Sequence, residues 1–175
     1  MRGESEVLVA LRKYIDNEQD GYDFYQQCAE RTADQRGREM FLSLAKDELE
    51  HIRKLEIEYR SLHDQGDWLS LRELDSRAEE PARGIFPKDK RQVRQMVKPD
   101  ATDLNALLIA IQMEKESFSA YDEERRRAKS EAAREVFAQL AEEEHRHLET
   151  LENTHEYLAN TGSWFQVLEK PIFEG

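Results

Sequence analysis

Cysteine, proline and glycine are all scarce in this chain of 175 residues: one Cys, 4 Pro and 7 Gly. With Cys28 alone, no intramolecular disulfide can form. No Cys-x-x-Cys pair is present to hold zinc, a four-thiolate iron or a thiol redox centre. Cys28 reads as a small helix-packing residue. So few turn formers exclude a many-stranded fold. Positive charge is also short, with 26 Lys and Arg against 38 Asp and Glu, a net charge of −12. Without a basic stripe, a nucleic-acid surface is excluded, whereas cations suit such a chain. No apolar run approaches membrane-spanning length, and the N-terminal "MRGESEVLVALRKYI" lacks the long apolar core of a signal peptide. A cytoplasmic protein with no membrane partner is expected. The length suits one domain with a sizeable core.

What is present is a repeat. "LVALRKYIDNEQDGYDFY" (8–25) lies over "LNALLIAIQMEKESFSAY" (104–121) at an offset of 96 residues. At the same offset, with no gap, "REMFLSLAKDELEHIRKLE" (38–56) falls on "REVFAQLAEEEHRHLETLE" (134–152). Each copy reads as two amphipathic helices with apolar residues at steps of three and four. "RTADQRG" and "RRRAKSEAAR" are the breaks within each copy, and short connections make antiparallel neighbours. Thr102 or Asp100 can cap the first helix of the second copy, after Pro99 stops what precedes it.

The expected fold is therefore all-α: a four-helix bundle of two repeated hairpins joined by a long crossover. The bundle takes 1–161, with hairpin one at about 5–65, a crossover at 66–102 and hairpin two at about 103–161. A C-terminal tail, 162–175, follows. In the crossover, "FPKDKRQVRQMV" could form one short helix. Its length is expected to carry the chain along the bundle, so that the second hairpin starts at the same end as the first. Trp164, Phe165, Ile172 and Phe173 are expected to pack the tail onto the bundle or onto a twin subunit.

Polar residues on the core-facing stripes are the informative ones. Stepping about 100° per residue from Phe41, Glu48 falls near −20°, inside the apolar face, and His51 falls near −80°, at its edge. Counting from Phe137 places Glu144 and His147 identically. Glu142 points about 140° away and His145 about 80° to the other flank, so the pair is Glu144-x-x-His147 rather than Glu142-x-x-His145. Glu18 and Glu114 sit on their stripes, each with an aromatic four residues on. Tyr25 and Tyr121, seven residues on, can hydrogen-bond a neighbouring carboxylate. A lone Glu-x-x-His in so acidic a chain means little, and a single seam glutamate can reach solvent with its stem. Four glutamates and two histidines on one seam are another matter. Four buried carboxylates would repel one another and lose hydration. Two divalent cations balance them, with neutral imidazoles completing the set. Such ligands suit iron or manganese, and zinc can substitute.

The doubled pattern Glu–x6–Tyr, then Leu-Ala-x-x-Glu-x-x-His, resembles the ferritin-like di-iron carboxylate proteins, most closely the rubrerythrin group, over roughly residues 5–160. One Glu from each of two helices plus Glu-x-x-His from each of the other two is the ligand set known for that fold. The resemblance implies two iron ions, with Glu18 and Glu114 as terminal ligands, Glu48 and Glu144 as bridges, and His51 and His147 each on one ion. Tyr25 and Tyr121 would orient carboxylates. It implies an oxidoreductase reducing hydrogen peroxide or dioxygen, a peroxidase or oxidase linked to oxidative stress. A homodimer is expected. Rubrerythrin proper adds a four-cysteine rubredoxin domain; without those cysteines, electrons must come from an external donor such as a rubredoxin-like protein. It also has a further glutamate one turn after the second terminal ligand, where this chain has Ser117. The alternatives are ferritin-like iron oxidation, binding or storage, and a non-catalytic metal-binding interaction module.

Overall fold

A computed structural model describes residues 5–77 and 102–164. Five helices follow in order: α1 (Glu6–Arg31), α2 (Gln35–Asp64), α3 (Leu71–Arg77), α4 (Asp103–Arg127) and α5 (Glu131–Thr161). There is no strand among the described residues. α1 pairs with α2 and α4 with α5, which gives the two hairpins of an all-α bundle. No helix among the described residues is long and apolar enough to cross a membrane.

The breaks within the repeats work through caps. The Asp34 side chain accepts from Arg36 N (2.8 Å) to open α2, and the Ser130 hydroxyl accepts from Ala133 N (3.0 Å) to open α5. Of the two candidates before α4, Thr102 is the cap, accepting from Asn105 N at 3.3 Å; Asp100 lies outside the described residues. Each satisfies an amide that the first turn leaves without a carbonyl. α5 ends on Gly162 at φ 69°, a left-handed conformation in which glycine meets no Cβ penalty.

The expected direction of the second hairpin is corrected by the structure. The start of α4 lies beside the α1–α2 turn, not beside the start of α1. The Thr32 hydroxyl reaches Asp103 Oδ1 (3.5 Å), and Trp164 Nε1 donates to Asp103 Oδ2 (3.1 Å) while its ring meets Phe41 edge-on. α2 returns the chain to the starting end of α1, whereas α4 begins at the opposite end. α4 is therefore antiparallel to α1.

α3 lies within the expected crossover, where the sequence shows little periodicity. It is held by local chemistry: Ser70 N donates to Glu73 Oε2 (2.9 Å) and Glu73 N to the Ser70 hydroxyl (3.4 Å), a reciprocal capping box. Its Leu74 is fully buried. The helix considered for "FPKDKRQVRQMV", and the tail residues Phe165, Ile172 and Phe173, lie outside the described residues.

The core is divided. One apolar cluster, with Phe24, Phe41, Leu107 and Leu151, fills the end holding the α1–α2 turn. A second, with Leu11, Leu55, Phe137 and Leu140, fills the opposite end. Between them sits a layer of buried charge.

Candidate metal centre

Each of the four long helices contributes to that layer. α1 supplies Glu18, α2 Glu48 and His51, α4 Glu114, and α5 Glu144 and His147. None of the six is more than 7% exposed. They form two groups, Glu18–Glu48–His51–Glu144 and Glu48–Glu114–Glu144–His147, each with its ligand atoms within 4.8 Å of one another. Glu48 and Glu144 belong to both.

The histidines face this cluster through Nδ1. His51 Nδ1 lies 3.2 Å from Glu18 Oε2, 3.5 Å from Glu48 Oε2 and 3.2 Å from Glu144 Oε1. His147 Nδ1 lies 3.4 Å from Glu144 Oε2, 3.7 Å from Glu114 Oε1 and 3.8 Å from Glu48 Oε1. The tyrosines cross between the repeats: Tyr25 Oη donates to Glu114 Oε1 and Tyr121 Oη to Glu18 Oε1. Both phenols are pushed well above their ordinary pKa, first by burial and then by the carboxylates they serve, so they stay protonated donors.

The protonation pattern shows a site under electrostatic load. Burial, then the neighbouring carboxylates, raises Glu48 well above the usual range and Glu114 to about 8. Burial works against charged imidazoles, yet the surrounding carboxylates outweigh it, raising His51 strongly and His147 to about 12. Glu144 is likewise opposed by burial, but both histidines hold it well below the carboxylate range. Protons thus supply the positive charge that four buried carboxylates demand. Even so, both oxygens of Glu144 and Nδ1 of His147 are buried without an aligned hydrogen bond. Oxygen and imidazole donors that converge with unused lone pairs fit a divalent metal such as iron, which would take the place of the protons.

The two overlapping motifs differ in burial. Glu144 and His147 are buried, whereas Glu142 and His145 are exposed. His145 pairs with Glu149 (3.4 Å), and its ring lies 5.3 Å from that of Phe118.

Two residues escaped sequence reasoning. Glu143 Oε2 accepts from His51 Nε2 at 2.8 Å, and Asp47 Oδ2 accepts from His147 Nε2 at 3.2 Å. Both fall at about −120° on their helices, outside the core face, so arithmetic of burial discards them. The repeat held the signal, because the 96-residue offset places Asp47 on Glu143. Burial pulls Glu143 upward, but His51 and Lys54 prevail and bring it down to about 2. Asp47 is lowered chiefly by its bond to His147. Outside the histidines a groove of about 450 Å³ opens, lined by Asp47, Glu50, Lys54, Glu143, Arg146 and Thr150.

The Rubrerythrin family model matches residues 10–155, which span all six carboxylate and imidazole donors. No curated protein and no solved structure gives a significant match.

Proposed function

The chain belongs to the rubrerythrin family, and from that footing we propose that it is a di-iron carboxylate oxidoreductase that reduces hydrogen peroxide or dioxygen. The observation that carries this reading is the pair of buried four-donor groups sharing Glu48 and Glu144. Glu18, Glu48 and His51 with Glu144 would hold one ion, and Glu114 and His147 with the shared glutamates the other. Two ferrous ions, when bound, supply the two electrons that such a reduction needs. The protein supplies the rest. The apolar clusters cover the charged layer above and below, and the groove opens beside its histidines. Tyr25 and Tyr121 keep their protons and fix the outer carboxylates Glu114 and Glu18. Asp47 and Glu143 hold the Nε2 protons of the histidines, which aims each Nδ1 lone pair inward once its own proton has left. This chain holds a single cysteine, and the reading includes an electron donor outside it, rubredoxin-like in chemistry, to reset the site, and assembly as a homodimer.

One observation favours a second reading, ferrous oxidation by dioxygen in iron handling. One turn past Glu114 the chain has Ser117, which adds no carboxylate beside either group. Stopped-flow mixing of the anaerobic diferrous protein with each oxidant separates the two. Faster oxidation by peroxide is expected, with Glu144→Ala losing the reaction and Glu142→Ala keeping it. Faster reaction with dioxygen gives first place to the second reading, and no reaction with either removes the enzyme.

A further inference from the structure

The two halves of the centre are related by the repeat, but their surroundings differ. On the His51 side, Glu143 is four-fifths covered and held from several directions. Lys54 Nζ lies 3.2 Å from both of its oxygens, Gln139 Nε2 donates to Oε1 at 3.0 Å, and Arg146 stands 4.0 Å away. On the His147 side, the Asp47 side chain is 49% exposed, and among the described residues His147 is its one hydrogen-bonding partner. Offset by 96, Lys54 becomes Thr150 and Gln139 becomes Ser43, so no cation braces Asp47 through the matching positions.

The donor sets differ in the same sense. For metal–ligand bonds of about 2.1 Å, neighbouring donors stand about 3.0–3.4 Å apart. The His51 nitrogen is 3.2–3.5 Å from its three carboxylates, while the His147 nitrogen is 3.4–3.8 Å from its own. On these histidine–carboxylate distances the second position has further to contract, and its histidine is held from outside by a single half-exposed carboxylate.

We infer that the two metal positions are unequal and fill in order, the His51 position first and tightly, the His147 position second and exchangeably. Asp47 is the positioning residue that sets the affinity of the second. This rests on the two-metal reading of the centre. Asp47 and Glu143 both line the groove, but Glu143 is braced by Lys54 and Gln139, whereas Asp47 is paired, among the described residues, with His147 alone.

The test uses the metal-free full-length protein titrated anaerobically with cobalt(II), read by its visible absorption against a competing chelator. Two one-equivalent steps, at least tenfold apart in affinity, are expected. Asp47→Asn should weaken the second step by about tenfold or more and leave the first unchanged, and Asp47→Glu should restore much of it. Glu143→Gln should weaken the first. Because Asp47 is half exposed, its variants keep the fold, and the unchanged first step reports this directly. His147→Ala should retain one tight equivalent and His51→Ala should not. Two equivalents bound in a single step, or a first step weakened by Asp47→Asn, overturn the order while leaving the two-metal centre standing. Failure to bind any cobalt overturns both.

Discussion

Glu58 shows a carboxylate buried with no site around it. It is fully covered, accepts one bond from Leu69 N (3.1 Å) through Oε2, and leaves Oε1 buried without a partner. Burial pushes its pKa up to about 7, against the lowering effects of Leu69 N–H and Arg77. Its folded-state pKa is above the unfolded one, so its favourable contribution is complete below about pH 4.5 and is lost as pH rises through 7. Glu58→Gln removes that titration. The melting temperature of the variant minus that of the parent, both metal-loaded, should become more positive between pH 5 and pH 8. A difference that stays flat would remove Glu58 from this role. At this scale the sequence was legible where a polar residue lies on an apolar stripe, as Glu18, Glu48, Glu114 and Glu144 do. It was not legible for Asp47, Glu143 and Glu58. The first two act across the bundle from the outer flank of their helices. The third is buried by a loop whose path depends on tertiary packing.

Among the elements, the hairpin repeat was readable without alignment because helical stripes and caps are local. α3 carried a local signal too, Ser70-Leu-Arg-Glu73, but one turn of capping box shows no periodicity to draw attention. Packing between elements is harder to read, and the turn between α1 and α2 is an example. A Cβ built on Gly37 would stand 2.6 Å from the Trp164 ring and 2.7 Å from Thr32 Cγ2. Glycine is needed there for the close approach of α5's exit to α2's first turn. Gly37→Ala must displace Trp164 from Phe41 and Asp103, and should cost about 1–3 kcal/mol, as overpacking does. Gly21 is the contrast: its added Cβ would make ordinary contact with Glu48 Cδ at 3.5 Å. Gly21→Ala should therefore keep or raise the melting temperature, because alanine is favoured over glycine inside a helix by about 0.5–1 kcal/mol. Calorimetry together with tryptophan emission would check the pair. A Gly37→Ala protein as stable as its parent, with unshifted emission, would contradict this packing.

Over the whole molecule, the antiparallel placement of α4 against α1 turns a sequence repeat into reciprocal contacts. Tyr25 serves Glu114 and Tyr121 serves Glu18; Glu143 holds His51 and Asp47 holds His147. Neither hairpin completes a donor group alone, since each group draws on both repeats. The charged layer therefore ties the two hairpins together, and the cation that relieves it should stabilise the entire bundle. Its effect must depend on pH. In the metal-free protein His51, His147, Glu48 and Glu114 all have raised pKa values, with His147 near 12 and Glu114 near 8. Each such group contributes stability below its unfolded pKa and loses it as pH rises through the folded one. Asp47, Glu143 and Glu144 are lowered, so their contributions are lost only below about pH 4.5 and are constant from pH 6 to 8. Stability of the metal-free protein should thus fall between pH 6 and 8. Metal binding needs those same protons to leave, so affinity should rise over that range, and with it stabilisation by mass action. Both effects widen the gap between the melting temperatures of metal-loaded and metal-free protein. The gap should be larger at pH 8 than at pH 6, and metal addition to unbuffered metal-free protein should release protons. A gap that is constant across that range, with metal shown to be bound and removed, would mean that the cation does not replace protons in the charged layer.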